Sequence, residues 1–95
     1  MKATLFTTDF RAIEVKPEDG KHFHLKELYN MLQCDLVEVV YLDHESIMIV
    51  DEEGKFRHEP VVNVTATLLA LEKNAIHPND VIVGHALVCD SSMFE

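Results

Sequence analysis

The stretch that most constrains this chain is Asp35 to Arg57, DLVEVVYLDHESIMIVDEEGKFR. Val37, Val39 and Tyr41 alternate with Leu36, Glu38, Val40 and Leu42. That is a period of two rich in β-branched side chains, and Ile47 to Val50 supplies a partner strand. Both faces of the pair are apolar: Leu36, Val40 and Leu42 oppose Val37, Val39 and Tyr41, and Ile47 and Ile49 oppose Met48 and Val50. Such strands need cover on both sides, so the two runs are expected at the middle of a layer. Glu38 is the exception and belongs at an edge, a rim or a polar gap in the cover, because a lone buried carboxylate is costly. Asp43 to Ser46 reads as a tight connection. Asp51-Glu52-Glu53-Gly54 is the stronger turn, with Gly54 available for positive φ and bulge geometry.

The flanks supply the rest of a small domain. Lys2 to Thr7 and Arg11 to Lys16 look like short strands around Thr8-Asp9, closed by the turn Pro17-Glu18-Asp19-Gly20. After His22, Phe23 and His24, the residues Leu25, Leu28, Tyr29 and Leu32 fall on one side of a helix that ends near Cys34. Asn63 is placed to cap a second helix by accepting from a free N–H near Ala66. Val64, Leu68, Leu71 and Ala75 form its apolar stripe, widened by Leu69 and Ile76, and Asn74 and Pro78 end it. DVIVGHALVC, Asp80 to Cys89, reads as one last strand, in which Gly84 beside Ala86 implies close approach of a packed helix or of a ligand. The expected fold is α+β: a small mixed or mainly antiparallel sheet covered by two helices, in a single compact domain over residues 1–89. The tail, residues 90–95, has no periodic support and is expected to fray, with Met93 and Phe94 available to a partner subunit.

At 95 residues and 47% hydrophobic, one domain of this size buries about 60–65% of its extended-chain surface without staples. Cys34 and Cys89 lie far apart with no C-x-x-C spacing, which points to free thiols in a reducing compartment. No run reaches the roughly 18 apolar residues of a membrane span, and the N-terminus lacks the apolar core of a secretory signal. A cytoplasmic location is the expectation. Seventeen acidic against eight basic residues leave a net charge of −9. That field repels phosphate backbones and makes nucleic acid an unfavourable partner. Besides solubility, it offers an acidic docking face to a basic protein.

Several segments, taken in order, resemble a known family. They are Val15-x-Pro17-x-x-Gly20-x-x-Phe23-x-Leu25-x-x-Leu28, Glu38-Val39-Val40-x-Leu42, Asp51-Glu52-Glu53-Gly54-Lys55, Asn63-x-x-Ala66-Thr67-x-Leu69 and Asp80-Val81-Ile82-Val83-Gly84. Together they are similar to the small domain-of-unknown-function family 3846 of bacteria, phages and mobile elements, over most of residues 10 to 89. Two positions depart from that family's pattern: Cys34 stands where a glycine-rich helix exit is usual, and Asp51 where asparagine is common. The resemblance implies a single compact domain and brings no established catalytic chemistry.

The residue types for chemistry are present without the spacings that chemistry needs. Six histidines are available, and His22 and His24 would point the same way if extended, yet no zinc spacing supplies further ligands. Cysteine, histidine and carboxylates occur without a recognisable triad. There is no G-x-G-x-x-G or phosphate-binding loop, so no cofactor is indicated, and catalysis is not the expectation. Asp43 with Glu45 and Asp51 with Glu53 do not form a calcium loop. The candidate binding residues are Gly84 and His85 on the last strand and Glu52 and Glu53 in the acidic turn. Three functions follow in order: a non-catalytic accessory or regulatory protein-interaction domain, a binder of a metabolite or signalling nucleotide, and an acidic mimic of nucleic acid. Homo-oligomerisation is a further expectation, because a short sheet exposes edges.

Overall fold

The strand formed by the continuous apolar run at Ile47 to Val50 lies inside a sheet covered on both faces. The structure, a computed structural model, describes residues 3–94. Its elements are β1 (Ala3–Phe6), β2 (Ala12–Val15), α1 (Leu25–Leu32), β3 (Val37–Tyr41), β4 (Ser46–Asp51), α2 (Val64–Glu72) and β5 (Ala86–Asp90), with single 3₁₀ turns at Gly54–Phe56 and Ser91–Met93. The five strands run in the order β2-β1-β5-β4-β3, and every neighbouring pair is antiparallel. The expected first strand began at Lys2, which lies outside the described residues, as does Glu95 of the expected tail.

The registers explain the two faces. Leu5 pairs with Leu87, Leu87 with Ile49 and Ile49 with Val39, a row across the sheet on the side of α1. The next row, Thr4, Val88, Met48 and Val40, points to the side of α2. One core joins the first face to Phe23, Leu28 and Leu32; the other joins the second face to Ala66, Ala70 and Ile82. Each fully buried large aliphatic or aromatic side chain in these layers contributes about 1.5–3 kcal/mol.

Four details of the strands, glycines and second helix differ from the sequence reading. The β3–β4 hairpin forms, but it is not the middle of the layer: β5 is the central strand and β3 an edge. Apolar residues on both faces report cover above and below a strand, whereas its place in the sheet depends on where a distant strand inserts. Next, Asp80 to Cys89 is not one strand. Gly84 adopts φ +83°, and the residues before it pair instead with the approach to α2 through Asn63 N–H to Ile82 O at 2.8 Å and Gly84 N–H to Val61 O at 2.9 Å.

The two glycines also exchange reasons. A Cβ on Gly84 would meet nothing within 4 Å, so this glycine serves the left-handed turn, whereas a Cβ on Gly54 would lie 3.1 Å from Val83 O. Gly54 is the close approach. Finally, α2 is rotated from the expected stripe: Ala66, Thr67 and Ala70 are buried, and Leu68 is 62% exposed. Thr67 Oγ1 accepts from Ile82 N–H at 2.9 Å, and the Asn63 cap accepts from Ala66 N–H at 3.0 Å. These buried polar bonds turn the small residues toward the sheet.

The segment expected to fray instead packs under α1. Phe23 N–H donates to Met93 O at 2.7 Å, and Met93 is buried in the same core as Phe23. Cys34 and Cys89 are free and buried in that core. Burial, with Asp90 adding to it, pushes the Cys89 thiol up to about 11, and burial and then Asp51 raise Cys34. At pH 8 only about one Cys89 in a thousand is thiolate by this value. A thiol–disulfide reagent should therefore label the native protein far more slowly than the urea-unfolded chain. Complete native labelling within the mixing time would contradict the closed core.

Candidate functional site

Antiparallel pairing brings the end of β1, the start of β5 and the end of β4 to one end of the sheet, where Phe6 pairs with Ala86. The exit of α1 and the start of α2 lie there too. Asn63 ties these parts together: fully buried, it caps α2 and donates from Nδ2 to Phe6 O and to Gly84 O, each at 2.9 Å. Two concavities open beside this junction.

The first is a cleft of about 200 Å³ whose lining includes Leu32, Gln33, Arg57, Val61, Gly84 and His85. His85 Nδ1 accepts from Thr8 N–H at 3.3 Å, so in the neutral ring the proton sits on Nε2. Arg57 Nε donates to Asp51 Oδ2 at 2.8 Å, and the Asp51 side chain is only 8% exposed. That hydrogen bond and charge hold the Arg57 guanidinium above its ordinary pKa. The cleft therefore combines apolar walls with hydrogen-bond donors whose positive charge is largely compensated.

The second is a groove of about 250 Å³ on the α2 side of the sheet. Val40, Val50, Ile76, Ile82 and Val83 give it an aliphatic floor, and Glu38 and Glu52 are among its rim residues. Strand parity supplies the β3 part of floor and rim, since Glu38 and Val40 point to the same face of β3. The groove's other carboxylates are engaged, Asp80 by Lys55 and Asp51 by Arg57. Among the described residues neither Glu38 nor Glu52 has a side-chain polar partner. Asp51 and Val83 line both concavities and form the wall between them.

The sequence candidates thus divide. Gly84 and His85 line the cleft and Glu52 the groove, while Glu53 is exposed on the turn and lines neither. Arg57 and Asp51 escaped the sequence reading as site residues, because only the fold shows that the pair is buried on one side and open on the other. Glu38 carried a signal, a charge interrupting an otherwise apolar strand. Other acids have local duties: Asp43 Oδ1 accepts from the N–H groups of Glu45 and Ser46 at 2.9 and 2.8 Å, and Asp19 Oδ2 meets His24 Nε2 at 2.8 Å. Three backbone or side-chain donors, led by His22 N–H, hold the Asp19 carboxyl down at about 2. No group of three or more histidine, cysteine or carboxylate side chains is placed to hold a metal among the described residues. No helix among them is long and apolar enough to cross a membrane.

The order of the five strands, the cap at Asn63 and the turn at Gly54 run through almost the whole chain. A family described as Domain of unknown function (DUF3846) matches residues 1–93. The chain belongs to the DUF3846 family. No curated protein and no solved structure matches it. This DUF3846 domain carries the groove and the cleft on either side of Asp51 and Val83.

Proposed function

We propose that this DUF3846 domain is a non-catalytic, cytoplasmic accessory domain that acts by binding a basic segment of a partner protein. The observation that carries the reading is the aliphatic groove rimmed by the unpartnered carboxylates Glu38 and Glu52. A lysine or arginine lays its methylene stem on such a floor and keeps its charge at the rim. The net charge of −9 adds long-range attraction, which speeds encounter with a basic partner and weakens as salt rises.

The test is capture of a partner by the immobilised native chain, followed by affinity measurements with the purified partner. Reversing both rim charges, Glu38→Lys with Glu52→Lys, should lower affinity by about tenfold or more at low salt. Glu53→Lys, outside the groove, should cost much less. Equal losses from Glu52→Lys and Glu53→Lys, or none from the double reversal, would refute groove docking.

The cleft beside His85 favours a second reading, storage or sensing of a small metabolite or nucleotide. Its support is the joint presence of Arg57, Gln33 and the His85 Nε2 donor in one concavity. Native mass spectrometry of freshly purified protein decides it: a retained compound lost on Val61→Trp supports this reading, and a bare mass after incubation with cell metabolites rejects it. The acidic-mimic reading draws less from the geometry, because Asp43 and Glu45 lie at one end of β4 and Asp51 to Glu53 at the other.

A further inference from the structure

We infer that the partner is recognised as an added β-strand: an extended segment alternating basic and aliphatic residues pairs with the open edge of β3 and lays its basic side chains into the groove. This rests on the reading of the groove as a protein-docking site and specifies how it is filled. Three observations converge on it. First, β3 ends the sheet, and among the described residues no hydrogen bond reaches Val37–Tyr41 from outside the β3–β4 pair. An edge of this kind is a template for another strand.

Second, the edge is only partly protected: its one charge is Glu38, which a basic strand would neutralise. Val37–Tyr41 contains neither proline nor glycine nor lysine. The opposite edge, β2, has four residues and is followed by Lys16 and Pro17. Third, the edge adjoins the groove with matching parity. Glu38 and Val40 are the groove-facing side chains of β3, so a strand added there sets its own groove-facing residues about 5 Å away, Cβ to Cβ. A lysine or arginine opposite Glu38 and an aliphatic residue opposite Val40 complement the charge and the floor respectively. A second copy of this chain is a poor occupant, because it brings another charge of −9 and further carboxylates to the same edge.

The experiment titrates isotope-labelled native protein with a short synthetic peptide alternating lysine and valine, and with the same peptide N-methylated at alternate backbone nitrogens on its pairing edge. The first should bind saturably and slow hydrogen exchange at the outward amides of Val37–Tyr41. The N-methylated peptide should bind about tenfold more weakly, having lost main-chain bonds, and Glu38→Lys should weaken the unmodified peptide by a similar factor. If both peptides bind equally and perturb Val40, Val50 and Ile82 while the β3 amides stay unprotected, strand addition is wrong and groove docking stands. If neither peptide binds, groove docking falls as well. Sedimentation showing a peptide-free dimer abolished by a β3 substitution would assign the edge to a second copy and overturn the inference.

Discussion

Asn63→Ala is expected to lower the unfolding free energy by about 3 kcal/mol, read from urea denaturation at neutral pH. Asn63 is fully buried, and its side chain makes three bonds: it accepts from Ala66 N–H and donates to Phe6 O and Gly84 O. Loss of a helix cap costs about 1 kcal/mol. Two partly buried carbonyls then lose a donor, at about 1 kcal/mol or more each. Alanine also removes the link between the end of β1, the turn at Gly84 and the start of α2, so amides in all three segments should exchange faster.

Asn63→Asp separates the cap from the two donated bonds. Aspartate keeps the acceptor for Ala66 N–H but turns a carboxylate toward two carbonyl oxygens in a buried site. Burial and those carbonyls raise the folded-state pKa of the introduced acid above its unfolded value. The folded state then binds the extra proton more tightly, so the deficit of this variant shrinks as pH falls toward the unfolded carboxyl pKa and deepens as pH rises through the folded one. The variant should be less stable than Asn63→Ala at pH 7 and should close the gap at pH 5. A cost below about 1 kcal/mol for alanine, with no pH dependence for aspartate, would mean that the three bonds do not act together.

The same residue shows which parts of this fold can be read locally. Asn63 three positions before Ala66 is a helix start whose partners are both nearby in the chain, and the alternation around Val39 and Ile49 is a strand pair joined by a short turn. Glu38 was legible only as an exception, because one charge in an apolar strand has few places to go, an edge, a rim or a polar gap, and the fold takes the edge. The central position of β5 was not legible, since it depends on the chain returning between β1 and β4 from far away. Nor was the rotation of α2. Its larger aliphatic residues, Val64 and Leu68, suggested the buried side, but Thr67 and Asn63 bond to the Ile82 region and set Ala66 and Ala70 against the sheet. Gly54 and Gly84 make the point again, because whether a glycine serves a φ angle or a close neighbour depends on what folds against it. The groove is equally non-local, its floor joining β3 and β4 to residues 76–83.

Phe23→Ala should cost about 4 kcal/mol, and Leu25→Ala no more than about 0.5 kcal/mol, although the helical stripe alone ranks Leu25 with the core. Phe23 is 1% exposed and Leu25 46% exposed. His24 occupies the cap position, so Leu25 is the first residue of α1 and stays half exposed, while Phe23 enters the core before the helix begins. Its ring packs in the core that includes Leu28, Leu87 and Met93, and its N–H bonds to Met93 O. Truncation therefore leaves a cavity between α1 and the chain after β5, and the surrounding groups fill only part of it. The same cavity loosens the segment Ser91 to Phe94, so hydrogen exchange at Phe23 and Phe94 should rise together in Phe23→Ala and stay unchanged in Leu25→Ala. Similar midpoints for the two variants would place the anchor of α1 on its own stripe and detach the C-terminal segment from the core. A large difference fixes the anchor one residue before the cap, where no helical periodicity reaches.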